Sequence, residues 1–553
     1  QTDSLTADTL LHGLNRRKSP PGSQEGYGTA AVLSERGIYL TSAVYRPVLQ
    51  FMDKMISLLP PKYTSLVDNN LQSFMENFVK NQFLPIVHVD YRTRVANALA
   101  SPAAFRLKAY PGAVYETLVE KGRPILQGPM SANHLITEVL GWAQAMPMYA
   151  SEILELVQTL LDRTLERCRA VYTEAVLGSL SSSIIGRGDM SNLMKQEPAH
   201  LLLDVSYLSQ LEQKVVVDAP LDTEGLEVEM EMNNLLLSLR PIRQEQLISP
   251  NHKMVLLAAL SDSLDYMSES VQQYVPEPKI SCWKNAYVMS RGKFSLLASF
   301  VAWSALTGNE NVRACTGGML RQAGLGYNNT SPGSPLKKKN AIHHVAVHHR
   351  RMNSALTAGL GVLTEKYHLL SAECLRTLRV ELQLLAIYHL QGMAGRVYVS
   401  DQDAEEPEEF VVALTTQIAR IDEEMAAYVP PLKRSYIFGG ICSISAAAFI
   451  KALNEMQSIN MLGVRQICRN CIALQQALVS VSPSSRDFVE ERFDRVRTYY
   501  ECLNLPFEAL VAFVTEHDAL FSFPEYSSLL KVSVSGRDIP NNAVQRLGRV
   551  LAP

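Results

Sequence analysis

The stretch Val464-Arg-Gln-Ile-Cys-Arg-Asn-Cys-Ile-Ala-Leu-Gln-Gln-Ala-Leu478 decides the fold class of this chain. Its apolar residues recur at steps of three and four, which places them on one stripe of a helix. The stripe consists of Val464, Ile467, Cys471, Leu474 and Leu478. Arginine and glutamine side chains fall mostly off it. The stretch therefore predicts a helix that packs against neighbouring helices.

The same periodicity recurs along most of the chain. The clearest further example is Glu152–Val176. Its apolar seam consists of Ile153, Val157, Leu160, Leu161, Leu165, Cys168 and Tyr172. Prolines and glycines separate such segments, as helix ends require, and no fixed repeat length connects them. The sequence predicts an all-α protein whose tandem helical bundles form an elongated rod.

Breaks in composition divide the chain into five segments. Gly and Ser dominate Gly178–Ser191, which predicts an exposed connector, and Gly, Asn, Ser and Pro dominate the stretch that begins at Ala314, which predicts a long surface loop. The predicted segments are a flexible leader at 1–36, a helical bundle at 37–180, a connector with short helices at 181–250, a helical bundle with a long loop (314–340) at 251–400, and a carboxyl-terminal helical bundle at 401–553.

Composition excludes several classes of function. The net charge of the 553 residues is -3, so the chain has no overall positive field for nucleic acid, and we expect no nucleic-acid partner. Eight scattered cysteines predict reduced thiols and a cytoplasmic location. The longest apolar runs, around Phe294–Leu306 and Ile437–Ile450, are shorter than the ~20 residues that cross a bilayer, so we expect no transmembrane helix. A first residue Gln1 instead of Met indicates a processed chain or a piece of a longer one.

Two cysteines in the opening stretch have the spacing of a metal or redox site. Cys468 and Cys471 are three residues apart, but a tetrahedral zinc ion needs two further ligands, and the single later cysteine is Cys502. Small core residues on a helix face explain the pair more simply.

One cluster of basic and imidazole side chains is the only candidate binding site. The histidines are His343, His344, His348 and His349. They lack the intervening glutamate of a catalytic zinc motif, and lysines and arginines surround them. Three interpretations stay open: a metal site, a solvated polar loop, and a basic surface patch that contacts acidic lipid head groups or an acidic partner. The basic surface patch consists of Lys337, Lys338, Lys339, Arg350 and Arg351.

Motifs of enzymes are missing from the sequence. No Gly-x-Ser-x-Gly elbow occurs, and Gly324-Leu325-Gly326 lacks the third glycine of a dinucleotide-binding loop. We predict no catalytic residue, no metal ligand and no cofactor, and hence a protein that is not an enzyme.

Several blocks in the carboxyl-terminal half resemble one family. The blocks are Ala419–Ala427, Lys433–Gly440, Gly463–Cys471, Leu474–Leu478, Arg497–Glu501 and Glu525-Tyr526, with looser similarity at Cys374–Leu382 and Tyr45–Leu49. In order and spacing they resemble the carboxyl-terminal helical-rod portion of the exocyst component 4 family, a Sec family of exocyst subunits. The resemblance covers Glu373–Leu530 and extends to Tyr45.

The resemblance implies a fold, a function and partners. The fold would be the helical rod of multisubunit tethering complexes. The chain would be a non-enzymatic exocyst subunit that holds secretory vesicles at the plasma membrane before SNARE-mediated fusion. Its partners would be other exocyst subunits, especially component 3 through amino-terminal helices that this chain lacks, and it would make a peripheral contact with the membrane or the SNARE machinery. Its location would be the cytoplasm and, peripherally, plasma-membrane sites of secretion.

Two other classes of function stay open from the residues alone. One is a helical scaffold subunit of another membrane-trafficking tether. The other is a helical enzyme or exchange factor, which would need a pocket of perturbed acids or histidines. The residues also leave open whether the stripe from Val464 to Leu478 faces the chain's own bundle, which we predict, or another subunit.

Overall fold

The computed structural model describes most of the chain, with gaps. The described residues are 35–58, 60, 73–109, 125–196, 223–249, 252–274, 336–456, 458–481, 486–517, 520–534 and 539–551. Within the helix that begins at Leu336, side chains are described from Gly359 onward. Residues 1–34 of the predicted leader and 314–335 of the predicted loop lie outside the described residues.

Besides a helical stretch at 73–78, the described residues form sixteen α-helices. They are α1 Thr41–Leu58, α2 Leu84–Ala100, α3 Gln127–Ala145, α4 Ala150–Val176, α5 Leu180–Ile185, α6 Gly188–Gln196, α7 Thr223–Leu237, α8 His252–Tyr274, α9 Leu336–Leu390, α10 Glu409–Ala426, α11 Pro431–Ala452, α12 Met461–Val481, α13 Arg486–Glu501, α14 Phe507–Glu516, α15 Phe523–Lys531 and α16 Ala543–Leu551. Short 3-10 turns and one π-helical turn, Val79–Phe83, lie between some of them. The all-α prediction is confirmed.

Strands are limited to one small parallel sheet in the described part of the chain. β1 (Ser458–Ile459) pairs with β2 (Ser533–Val534), and Tyr398 forms a parallel bridge with Ile459. This sheet was not predicted from the sequence, because two-residue strands leave no periodic signal.

The chain divides into two compact units, Gln1–Phe83 and Leu84–Pro553. In the first unit, α1 follows a 3-10 turn, Glu35–Leu40, so the last two residues of the predicted leader are ordered in a turn. Thr41, Tyr45 and Met52 on α1 are buried. Exposed apolar side chains on the turn and on α1 are those of Leu40, Val44, Phe51, Met55 and Leu58.

In the second unit, α9 packs against α4, α8 and α11. The Tyr367 hydroxyl donates to the Leu161 carbonyl oxygen over 2.8 Å, and the Tyr172 hydroxyl lies 2.9 Å from the Thr377 hydroxyl. These helices come from three of the predicted segments and form one compact unit. The finer division into five segments stays a prediction.

The seams that the sequence predicts are buried. All seven seam residues of α4, from Ile153 to Tyr172, are at most 6% exposed. Burying one such aliphatic side chain contributes about 1.5–3 kcal/mol, so these seams supply much of the stability of the unit.

Two predictions of irregular structure are wrong. The predicted connector Gly178–Ser191 forms α5 and most of the first turn of α6, because the Ser179 hydroxyl accepts a hydrogen bond from the Ser182 amide and caps α5. Ser181 and Ile184 there are buried. The predicted loop ends before residue 340, because α9 already begins at Leu336. Pro335 directly before Leu336 is a start signal for that helix.

One described stretch, Lys433–Glu455, is long and apolar enough to cross a membrane. It is longer than the apolar run Ile437–Ile450 seen in the sequence, so length alone does not exclude a span. However, 83% of its most apolar window is buried inside the protein. A helix that is apolar on all sides and buried is typical of a protein core.

Candidate interaction site

The stripe of α12 faces the chain's own core. Its five residues are at most 4% exposed, and α12 packs against α10 and α13. The stripe consists of Val464, Ile467, Cys471, Leu474 and Leu478. The prediction that it closes the chain's own bundle is confirmed.

Cys468 and Cys471 behave as core residues on this helix. Cys471 is fully buried, and burial raises its pKa well above the ordinary value. Burial also raises the pKa of Cys468 to about 11. Metal ligation requires the thiolate, so these environments disfavour it. In the part of the chain that the structure describes, no group of three or more His, Cys, Asp or Glu side chains could hold a metal ion.

The first turn of α12 lies directly against the segment around Tyr398. Gly463 permits this approach, because a Cβ atom there would overlap the Tyr398 carbonyl oxygen and lie 2.8 Å from the Tyr398 Cβ. The Asn460 side chain caps α12 by accepting a hydrogen bond from the Gly463 amide over 2.9 Å. Its amide nitrogen donates to the Ser400 carbonyl oxygen over 2.8 Å. The start of α12 and the segment 396–400 are therefore fixed to each other.

A carboxylate fixes the other side of this segment. Glu408 accepts hydrogen bonds from Arg396 (2.7 Å), from the Tyr398 hydroxyl (3.0 Å) and from Asn470 (2.7 Å). The Asn470 side-chain oxygen in turn accepts from the Glu408 backbone amide over 2.9 Å. Burial, and then the nearby Glu408 carboxylate, raise the pKa of Tyr398 above its ordinary value. Tyr398 is therefore a neutral hydrogen-bond donor at physiological pH.

A cavity of about 220 Å³ lies beside this network. Its wall includes Val397, Val399, Glu408, Gly463 and Gln466. Because Val397 and Val399 are about half exposed, the cavity lies at the surface of the unit. Its lining combines the apolar side chains of this segment with charged and amide side chains, among them Arg396, Glu408 and Gln466.

A second set of charges is buried away from this surface. The Lys433 ammonium on α11 lies 3.2 Å from Asp262 and 2.5 Å from Asp265, both on α8. Asp265 also lies 3.1 Å from the His368 ring on α9. Burial alone would raise the pKa of Asp265, but the lowering by Lys433 and His368 is larger. The pKa of Asp265 therefore lies well below its usual value. These groups neutralise one another and hold three helices together.

A third network joins four helices. Glu229 on α7 lies 3.9 Å from Arg379 on α9 and 3.3 Å from Arg492 on α13. Arg379 donates to the Tyr436 carbonyl oxygen on α11 over 2.7 Å. As in the Lys433 cluster, the charges of this network are paired with other groups of the protein.

The basic patch predicted from the sequence lies on the early turns of α9. Lys337, Lys338, Lys339, Arg350 and Arg351 are all helical. Their side chains, and those of the four histidines between them, lie outside the described residues. Their interpretation as a membrane or partner contact, or as a metal site, stays a prediction.

The features that the structure brings together were not predicted from the sequence. The Lys433 cluster had one signal, a lysine at the start of the most apolar helix together with Asp262 and Asp265 inside an apolar seam. The Gly463 contact had a weaker signal, a glycine in the first turn of a helix, where it costs stability unless close packing requires it.

The fold and these networks define a class of protein. The described residues form a helical scaffold in which the polar clusters hold helices against one another.

No family model matches the chain. It is 43% identical over 547 residues to a protein named exocyst complex component SEC8 of Arabidopsis thaliana, a match that covers 99% of this chain and 45% of that protein.

Two further relatives carry related names. The chain is 24% identical over 442 residues to exocyst complex component 4 of Dictyostelium discoideum, which covers 80% of this chain and 36% of that protein. It is 21% identical over 543 residues to exocyst complex component 4 of Homo sapiens, which covers 95% of this chain and 49% of that protein. The chain is thus similar in sequence to proteins named as exocyst components. It spans less than half the length of these relatives.

Proposed function

We propose that this chain is a portion of a non-enzymatic exocyst subunit, the counterpart of component 4, that holds secretory vesicles at the plasma membrane before SNARE-mediated fusion. The observation that carries the proposal is the 43% identity to the SEC8 protein over 99% of this chain. Similarity at that level over so many residues supports a shared role in the same kind of assembly.

The polar clusters support a role without catalysis. The buried charges of these clusters are paired with groups on neighbouring helices, as with Lys433 between Asp262 and Asp265. A catalytic acid or base must instead face a site that a substrate can enter. The surface cavity beside Tyr398 is lined largely by an extended segment and the start of a helix.

The partners in this proposal are other exocyst subunits. Component 3 is the specific partner, and amino-terminal helices outside this chain provide the contact. We assign the protein to the cytoplasm and to plasma-membrane sites of secretion. The exposed apolar face of α1 supports assembly, because an unpaired stripe at Val44, Phe51, Met55 and Leu58 is typical of a helix that packs on a partner.

The basic patch on α9 is the proposed membrane contact within this function. Five cations spaced along a few helical turns would each add about 1 kcal/mol of attraction to an acidic leaflet. The test is sedimentation of the chain with vesicles that contain phosphatidylserine. Replacing all five residues by glutamine should abolish sedimentation, whereas glutamine at five exposed cations elsewhere should not; equal sedimentation of both variants would remove the patch from the proposal.

The tethering role is tested in cells that produce the full-length protein. Depleting it should make secretory vesicles accumulate beneath the plasma membrane and reduce secretion, and the full-length protein should restore both. Normal secretion with vesicle traffic disturbed elsewhere, for example between internal membranes, would favour a scaffold of another trafficking tether.

A further inference from the structure

The segment 396–400 forms the outer edge of the small parallel sheet. The Tyr398 amide donates to the Ser458 carbonyl oxygen over 2.9 Å, and the Asn460 amide donates to the Tyr398 carbonyl oxygen over 3.0 Å. Both backbone groups of Tyr398 therefore point towards β1. Gly395, with φ at +72°, turns the chain into this segment after α9, and Ser400 turns it away again.

The backbone groups on either side of Tyr398 point the other way. In a strand, successive residues direct their amide and carbonyl groups to opposite sides, so those of Val397 and Val399 face outward. Within the described residues, neither has a hydrogen-bond partner for these groups. Val397 and Val399 are 55% and 47% exposed, whereas Tyr398 is 7% exposed. The edge thus offers free backbone donors and acceptors beside two exposed β-branched side chains.

The loop that follows the edge is strongly acidic. Its carboxylates are those of Asp401, Asp403, Glu405, Glu406, Glu408 and Glu409. In the described part of the chain, Arg396 pairs with Glu408, while Arg465 and Arg469 both pair with Asp403. Asp401, Glu405 and Glu406 are exposed and have no ion pair there. The unneutralised charge beside the edge is therefore negative.

We propose that the edge formed by Val397 and Val399 binds an extended basic peptide of a partner protein, which adds a strand to the sheet. An exposed edge with free backbone groups is a template for strand addition. Apolar side chains at every second position of the peptide would pack on Val397 and Val399. Lysine or arginine at the alternating positions would face the acidic loop.

A partner peptide fits the edge better than a second copy of this chain. Pairing two copies through the same edge would place two acidic loops beside each other, and this repulsion disfavours the dimer. The cavity beside the edge also leaves room for a side chain that projects from an added strand, since Val397 and Val399 form part of its wall.

The binding test uses this chain alone and a labelled peptide with the sequence Lys-Val-Lys-Val-Lys-Val-Lys. Fluorescence anisotropy should show saturable binding that weakens as salt rises. The peptide Glu-Val-Glu-Val-Glu-Val-Glu should not bind. Equal binding of the two peptides, or no binding of the basic one, would overturn the proposal.

The decisive variant is Val399→Pro, with Val399→Ala as its matched control. Proline removes the outward amide and keeps the bonds of Tyr398 to β1, since edge strands tolerate proline. Val399→Pro should weaken peptide binding about tenfold or more, and Val399→Ala about threefold or less, because alanine keeps the amide donor. The same affinity in Val399→Pro and the wild type would contradict the proposal. Far-UV circular dichroism checks that both variants fold.

A second variant does not touch the sheet. Replacing Asp401, Glu405 and Glu406 by their amides should weaken binding of the basic peptide and flatten its dependence on salt. Unchanged affinity would remove the acidic loop from the site. Self-association that Val399→Pro abolishes would show that the edge binds a second copy instead. The proposal goes beyond the vesicle-tethering role, because peptide binding by the isolated chain can be measured whether or not the chain tethers vesicles.

Discussion

Replacing Lys433 by methionine tests whether the buried charges hold the second unit together. Methionine keeps the length and apolar stem of lysine but removes the ammonium group that lies between Asp262 and Asp265. The Lys433 side chain is 8% exposed and the two carboxylates are 2% and 10% exposed, so water cannot replace the lost cation. Removing one partner from a buried ion pair costs about 3–5 kcal/mol. We expect a loss of that size, with His368 remaining beside Asp265.

The assay is urea unfolding followed by far-UV circular dichroism at neutral pH. The Lys433→Met midpoint should fall clearly below that of the wild type. Lys366→Met is the matched control, because Lys366 lies on α9 with an exposed side chain and its replacement should change stability by about 0.5 kcal/mol or less. If both variants unfold at the same urea concentration, the buried cluster does not stabilise the fold.

The loss of stability in Lys433→Met should depend on pH in a direction that the pKa of Asp265 determines. In the wild type, Lys433 and His368 hold the pKa of Asp265 below its ordinary value against the effect of burial, so this carboxylate stabilises the fold above pH about 4, and the contribution is lost as pH falls through the lowered pKa. Without Lys433, burial raises the pKa of Asp265, and protonation in acid relieves the buried charge. The destabilisation by Lys433→Met should therefore be larger at pH 8 than at pH 5. A larger effect at pH 5 would refute this reasoning.

Three further predictions follow from single sites. Gly463→Ala should destabilise the fold by several kcal/mol, because the added Cβ would overlap the backbone of Tyr398. The control is Gly361→Ala on α9, whose added Cβ meets no atom within 4 Å and which should be neutral or stabilising by up to about 1 kcal/mol. Equal urea midpoints of the two variants would contradict the close contact at Gly463. Burial raises the pKa of Glu381 to about 7, so its charged form costs stability as pH rises through 7. Glu381→Gln should therefore raise the thermal midpoint at pH 8 but change it little at pH 5. A larger rise of the midpoint at pH 5 than at pH 8 would contradict the raised pKa. Cys471 should resist a thiol reagent in the folded protein and react in urea, because it is fully buried with a raised pKa; fast labelling of the native thiol would show an exposed site.

Periodicity predicted the helices because apolar seams and helix geometry share one repeat. The stripe from Val464 to Leu478 and the seam of α4 are buried as predicted. The same signal reports only that a face is apolar, so it gave no account of charges inside a core. In the sequence, Lys433 and Asp265 look like ordinary solvated residues. They meet only because α8 and α11 both pack on α9.

The errors have a related cause. Gly and Ser in Gly178–Ser191 are weak helix formers, but Ser179 caps α5 and packing against α9 offsets the low propensity. The edge at Val397 and Val399 had no sequence signal, because a single bridge at Tyr398 is too short for an alternating pattern. Interaction sites that consist of backbone groups are therefore visible only in the structure.

The resemblance in the carboxyl-terminal half gave a function that the physics of the residues could not. Helix seams identify a scaffold but do not identify its partners, since self-packing and partner-packing faces have the same period.

The predicted elongated shape is tested by small-angle scattering, in which a rod of this mass has a radius of gyration well above the roughly 24 Å of a compact globule of the same length. A value near the compact limit would contradict the rod.

Affinity purification of the full-length protein from its own cells tests the central claim most directly. Mass spectrometry should recover the other exocyst subunits in near-stoichiometric amounts, with component 3 among those that stay bound at high salt. The 553-residue chain purified in the same way should retain fewer of them, because it spans less than half the length of its relatives. Recovery of no exocyst subunit, or of the subunits of a different tethering complex, would contradict the account.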